Sequence, residues 1–191
     1  NNVCHVGHSH PHVVQRISDQ AGLLNTNTRY LHENLVAYAE KLTALFSDPL
    51  NVCFFVCSGS EANDLALRIA RTVTRSKETI VIDGAYHGNL PSTIEISPYK
   101  YQGPGGFSPP DYVHKVATPD SSREKNRRSD GTSTPNDCHE INAILEKLST
   151  EAKGPPVFIA ESILNCAGQI VLPAGYLEQS YQSVRRSGGL C

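Results

Sequence analysis

The chain has no methionine and no tryptophan, no C-x-x-C pair among its six cysteines, and almost no net charge, formally -2. No apolar run approaches the roughly 20 residues that span a bilayer, and no basic-then-apolar leader opens the chain. A membrane partner is therefore not expected, and the protein reads as intracellular, cytoplasmic or mitochondrial. The charge balance also argues against a nucleic-acid partner, because phosphate backbones are held by many lysines and arginines together. The one basic knot, Arg123 to Arg128, lies in a Ser/Asp/Asn/Thr-rich stretch that reads as a solvated loop. The cysteines mostly adjoin apolar residues, which predicts reduced, buried thiols rather than a disulfide framework or a zinc site. His5, His8, His10 and His12 crowd the start, yet no nearby Cys or Asp completes a ligand set and H-E-x-x-H is missing, so no metal site is expected. The chain opens on Asn1 rather than Met and stops at "SGGLC", where a helix has just ended and an apolar strand is starting; a fragment is expected.

What is present reads as a globular α/β domain. With 39% hydrophobic residues over 191 positions, a sizeable core is available. Val14, Ile17 and Ala21 predict a helix from Pro11, capped by Ser9, and Leu35, Ala39, Leu42 and Phe46 predict a second over residues 33–46. A motif then recurs: a short continuous apolar run followed at once by small or polar residues. "NVCFFVC" leads to "SGS", "TIVID" to "GAYHGN", and "PPVFIA" to "ESILNCAGQ". Runs that are apolar on both faces belong to a parallel sheet covered by helices on each side. Stripes at Ala62–Val73, Ile141–Leu148 and Tyr176–Val184 supply those helices, and residues 97–137 read as loop with one brief strand candidate, "YVHKVA".

Sites in such sheets gather at the carboxyl ends of the strands, and all three polar clusters fall there. Ser58-Gly59-Ser60 stands between a strand and a helix. Two readings are open: ordinary capping of the helix, or a cup for an anion at its free N–H groups. Gly84-Ala85-Tyr86-His87-Gly88 is either a plain turn or a ring-bearing turn on which a planar group stacks. Glu161, just past the third strand, either faces water or pairs with a ligand. The P-loop, the G-x-G-x-x-G fingerprint and the G-x-S-x-G elbow are all missing.

Taken in order, "CSGSEANDLALR", "DGAYHGN" with "ISPYKY", and "FIAESILNCAGQIVLPAGYL", together with "NNVCHVGHSHPHVV" and "LNTNTRYLHENLVAYAEKL", resemble the class-III aminotransferases. Within that family they look most like the ethanolamine-phosphate and phosphohydroxylysine phospho-lyase branch. The resemblance implies part of the large domain of a fold-type I enzyme that uses pyridoxal 5'-phosphate. It divides the chain into residues 1–32, an N-terminal helix and substrate or interface loop, and residues 33–191, a partial cofactor-binding domain with 103–137 irregular. It implies that Ser58, Gly59 and Ser60 hold the cofactor phosphate, that Tyr86 stacks on its ring with His87 beside it, and that Glu161 joins the hydrogen bonds near the ring hydroxyl. Asn25, Thr26, Arg29 and Tyr30 would lie near the substrate entrance or a homodimer interface. The substrate implied is a small amine or amino acid, phosphorylated in the phospho-lyase branch. No lysine here matches the family's Schiff-base position, so no catalytic residue is assigned; the alternative is a non-catalytic truncated homologue or partner subunit.

Overall fold

The structure, a computed structural model, describes residues 4–27, 29–120 and 138–191. The chain forms two compact units, Asn1–Phe54 and Phe55–Cys191. The basic knot at Arg123–Arg128 lies outside the described residues.

The first unit carries α1 (Pro11–Leu23) and α2 (Glu33–Thr43). Pro11 opens α1 without cost, since a first-turn residue needs no N–H. Ser9 is not its cap: His10 takes that place and no side chain bonds the first turn, while Ser9 sits at φ +55. His32 caps α2, its Nδ1 accepting from the Asn34 N–H at 3.0 Å. Gln20 joins the two helices by accepting from Asn34 Nδ2 at 2.9 Å while donating to the Leu24 carbonyl. α2 stops at Thr43, short of Phe46, where tighter turns take over, Leu45 and Phe46 bonding the carbonyls of Leu42 and Thr43. Neither helix holds a fully buried residue.

The run at 51–57, expected as a strand, has no ladder partner among the described residues. Val52 and Phe54 are 75% and 67% exposed. Apolar composition gives strand propensity, but a strand exists only where a neighbouring backbone takes up its N–H and C=O groups.

The second unit is built on a parallel sheet of order β2-β1-β3, from β1 (Thr79–Ile82), β2 (Val113–Val116) and β3 (Val157–Ile159). Thr79 stands opposite Val113 on one side and Val157 on the other. Every residue of β1 is buried. Its alternation explains why: Ile80 and Ile82 pack with Ile141 of α6 (His139–Thr150) and with Tyr176 and Val184 of α7 (Tyr176–Arg186), whereas Val81 packs with Leu67 and Ala70 of α3 (Gly59–Thr74). A strand covered on both faces must be apolar throughout, which is the pattern "TIVI" displays. Two short helices, α4 (Pro91–Ile94) and α5 (Pro98–Tyr101), lie between β1 and β2. After β3 comes a small antiparallel pair, β4 (Ile163–Leu164) with β5 (Ile170–Val171). Beyond α7 the chain returns to the sheet, where Leu190 forms a parallel bridge with Val157 and accepts from the Phe158 N–H at 2.8 Å.

The six cysteines stand unpaired, and against the expectation of buried thiols only Cys138 is buried; Cys4, Cys57, Cys166 and Cys191 are exposed and Cys53 is intermediate. Their apolar sequence neighbours do not predict burial because Cys57 precedes the α3 elbow and Cys166 lies in the β4–β5 connection. No helix among the described residues is long and apolar enough to cross a membrane.

Candidate functional site

The first turn of α3 leaves backbone N–H groups without intrahelical acceptors. Ser58 is the N-cap, its Oγ accepting from the Glu61 N–H at 3.2 Å. The Glu61 carboxylate reaches back to accept from the Cys57 N–H at 2.7 Å, closing a reciprocal clasp around the elbow. Ser58→Ala removes one arm of it and is expected to lower stability by about 1 kcal/mol, read as a fall in the urea midpoint at unchanged slope. Capping leaves the N–H groups of Gly59 and Ser60 with no acceptor among the described residues. The cap and the anion cup are thus compatible, because they use different donors of one turn.

The turn after β1 is fastened to this elbow at several points. Ser60 Oγ accepts from the Asn89 N–H at 2.9 Å, Asn63 Nδ2 donates to the His87 carbonyl at 2.8 Å, and Ser92 Oγ donates to Asp64 at 2.6 Å. Gly88, at φ +134, makes the approach possible. On the other flank Gly84, at φ +74, lies where a Cβ would meet the Ala167 side chain at 3.1 Å. The segment from Gly84 to Gly88 is therefore held between α3 and the connection that follows β4.

Within that segment Tyr86 is half-buried and its ring meets Tyr99 edge-on, centroids 6.1 Å apart. The Tyr86 N–H points at Glu161 Oε1, 3.5 Å away, while Glu161 Oε2 accepts from the Asn165 N–H at 2.9 Å. Glu161 is half-buried and staples two loops at the strand ends, with lone pairs still free for another donor. His87 is 4% exposed and its Nε2 has no hydrogen-bond partner. Burial pulls the imidazole down to about 4, so the ring is neutral at physiological pH. Its backbone is anchored through Ser97, whose Oγ accepts from the His87 N–H at 2.9 Å and donates to the Thr93 carbonyl at 2.6 Å.

The residues singled out from the sequence thus fall into two groups. Ser58, Gly59, Ser60, Tyr86, His87 and Glu161 are joined through contacts within the second unit. Asn25, Thr26, Arg29 and Tyr30 belong to the first, in an exposed loop where Arg29 N–H donates to Asn27 Oδ1. Sequence reasoning missed Asn63, Asn89 and Ser97, which tie the site together, and Lys100, whose Nζ lies 5.6 Å from the Tyr86 ring centre. The tethers carry no sequence signal of their own. Lys100 sits in "SPYKY", where its two aromatic neighbours were a hint.

A family model described as aminotransferase class-III matches residues 2–190. The alanine–glyoxylate aminotransferase 2-like protein of Drosophila melanogaster is 47% identical over 194 residues, covering 100% of this chain and 39% of that protein. Ethanolamine-phosphate phospho-lyase homolog 1 of Caenorhabditis elegans is 38% identical, with 100% of this chain and 42% of that one covered. Among solved structures, a phospholyase from Arthrobacter in complex with phosphoethanolamine superposes with a TM-score of 0.82 at 34% identity, over 100% of this chain and 44% of that one. The chain accordingly spans about two fifths of the length of these relatives. Transaminases at 20–23% identity share the same parallel-sheet architecture, that of fold-type I enzymes. A family match running from residue 2 to residue 190, on a sheet whose strand ends carry the tyrosine turn and the glutamate beside the α3 elbow, establishes that the chain belongs to the class-III aminotransferases.

Proposed function

We propose that this chain supplies the cofactor-holding part of a pyridoxal-phosphate enzyme that acts on a small phosphorylated amine, releasing phosphate as the phospho-lyases do. Class-III aminotransferases are pyridoxal-phosphate enzymes. The observation that carries the assignment here is the α3 elbow: two free N–H groups on Gly59 and Ser60 beside a ring-bearing turn. At Gly59 nothing lies within 4 Å of where a Cβ would stand, so packing does not require glycine there and the elbow is open to close approach by a bound group.

The residues fit such a group. Gly59 and Ser60 N–H, at the positive end of α3, bind the phosphate. Tyr86 covers the cofactor ring and keeps water from it. Neutral His87 fills the buried space behind the turn without placing a second charge there. Glu161 holds the Tyr86 backbone and accepts from the ring hydroxyl. When bound, the cofactor supplies a conjugated electron sink that weakens bonds at the amine-bearing carbon of the substrate. Asn25, Thr26, Arg29 and Tyr30 are assigned to the substrate entrance or to a homodimer interface. Free, mostly exposed thiols suit a reducing compartment, in keeping with an intracellular protein.

The lyase reading rests on the phosphoethanolamine complex of the Arthrobacter relative and on the name of the nematode one. Transamination is the second reading, favoured by the name of the fly protein. Assays of the whole protein separate them: inorganic phosphate released from phosphoethanolamine supports the lyase, while amination of a keto acid by an amino donor without phosphate release supports the transaminase. Tyr86→Ala is expected to weaken pyridoxal-phosphate binding by about tenfold or more, since an aromatic contact contributes roughly 1–2 kcal/mol; unchanged affinity by absorbance titration refutes the stacking role.

A further inference from the structure

Lys100 lies in the short helix α5, next to the turn that carries Tyr86. The Tyr99 N–H donates to the Ala85 carbonyl at 3.1 Å, which fixes the start of α5 against the turn that carries Tyr86. From there the Lys100 ammonium lies 5.6 Å from the Tyr86 ring centre and 5.7 Å from that of Tyr99. It makes no ion pair among the described residues, like Lys41 and Lys77 and unlike Lys115, Lys147 and Lys153. A second observation brings the carboxylate of Glu161 into the same neighbourhood: its Oε1 lies 3.5 Å from the Tyr86 N–H. Burial and the Glu161 charge push the Cys166 thiol up and the Lys100 charge pulls it back, so both groups act on one short loop. Beside Tyr86 there are therefore an anion already engaged with backbone N–H groups and a cation with no anionic partner among the described residues.

We propose that Lys100 is the residue that selects a phosphorylated amine, its ammonium receiving the substrate's phosphate. This deepens the function proposed above and rests on it. The charge logic points one way: Glu161 alone would repel a dianion beside Tyr86, and Lys100 is the group that offsets that charge and offers the phosphate a cation. A lysine suits the task because its ammonium is a compact point charge on a flexible stem, steadied here by two aromatic faces. The phosphate concerned is the substrate's and not the cofactor's, which has the α3 elbow and its free N–H groups.

The test uses the whole protein loaded with pyridoxal phosphate. Binding of phosphoethanolamine, ethanolamine and β-alanine is followed by the change in cofactor absorption, and Lys100 reactivity toward acetic anhydride is followed by peptide mass spectrometry. Lys100 is exposed, so Lys100→Met is expected to fold normally. Loss of one charge-assisted contact to phosphate predicts that Lys100→Met weakens phosphoethanolamine binding by about 10- to 100-fold. Ethanolamine binding and cofactor affinity stay within about twofold, because neither uses the contact. Lys100→Arg restores most of the loss, and phosphoethanolamine, but not ethanolamine or β-alanine, shields Lys100 from acetylation. Equal loss for all three amines, a drop in cofactor affinity, or no loss at all overturns the assignment of Lys100 while leaving the lyase reading intact. A loaded wild-type protein that does not respond to phosphoethanolamine overturns both.

Discussion

Gly88→Ala is expected to cost about 3 kcal/mol of stability, whereas Gly59→Ala, on the α3 elbow of the same site, costs nothing measurable. The added methyl at Gly88 would stand 2.7 Å from Ser60 Oγ, 2.8 Å from Thr93 Oγ1 and 2.9 Å from Ser60 Cα. None of these atoms can step aside cheaply. Ser60 Oγ is engaged by the Asn89 N–H, Thr93 Oγ1 by the Leu90 backbone, and Ser60 Cα is main chain. The φ of +134 adds strain for any residue with a side chain, by about 1–2 kcal/mol. At Gly59 a methyl meets open space, and in a helix alanine is the better residue by up to about 1 kcal/mol. The two variants also part company in function: Gly59→Ala keeps its fold but crowds the phosphate, so pyridoxal-phosphate affinity falls while the urea midpoint holds or rises. Equal unfolding midpoints for the two variants would show that the close approach at Gly88 is not a constraint.

Acid is expected to weaken the fold through His87. An unfolded imidazole takes its proton near pH 6.5, but the buried one does so only near 4. Between those values the unfolded chain binds a proton that the folded chain refuses, so stability falls as pH falls. The contribution is complete above about pH 6.5 and lost progressively toward pH 4, amounting to about 3 kcal/mol in all. Urea midpoints of wild type and His87→Gln at pH 7.5 and pH 4.5 read it directly. A wild type that loses no more stability than the glutamine variant over that range would remove His87 as the cause.

Much of the second unit was legible in the sequence because its elements are defined by coverage. β1 and β3 are apolar on both faces since helices lie on both, and α3, α6 and α7 show stripes because each buries one side. "NVCFFVC" looked the same and is no strand here, because composition does not reveal whether a neighbouring backbone is there to pair with it. At the elbow, capping and anion binding looked like rivals; Ser58 and Glu61 account for the first while Gly59 and Ser60 keep donors for the second. Lys100 was illegible for a different reason. Its place over Tyr86 follows from one backbone bond, Tyr99 to Ala85, and no side-chain pattern encodes that.

The ties from Ser60 to Asn89 and from Asn63 to His87 have a consequence for how affinity arises. Because the elbow and the tyrosine turn are locked together by the chain's own groups, the loss of conformational freedom needed to shape the cup falls on folding, not on capture of the ligand. If the elbow binds the cofactor phosphate as proposed, the phosphate meets donors already in place, so weakening either tie should slow capture and lower affinity without removing a single contact to the ligand itself.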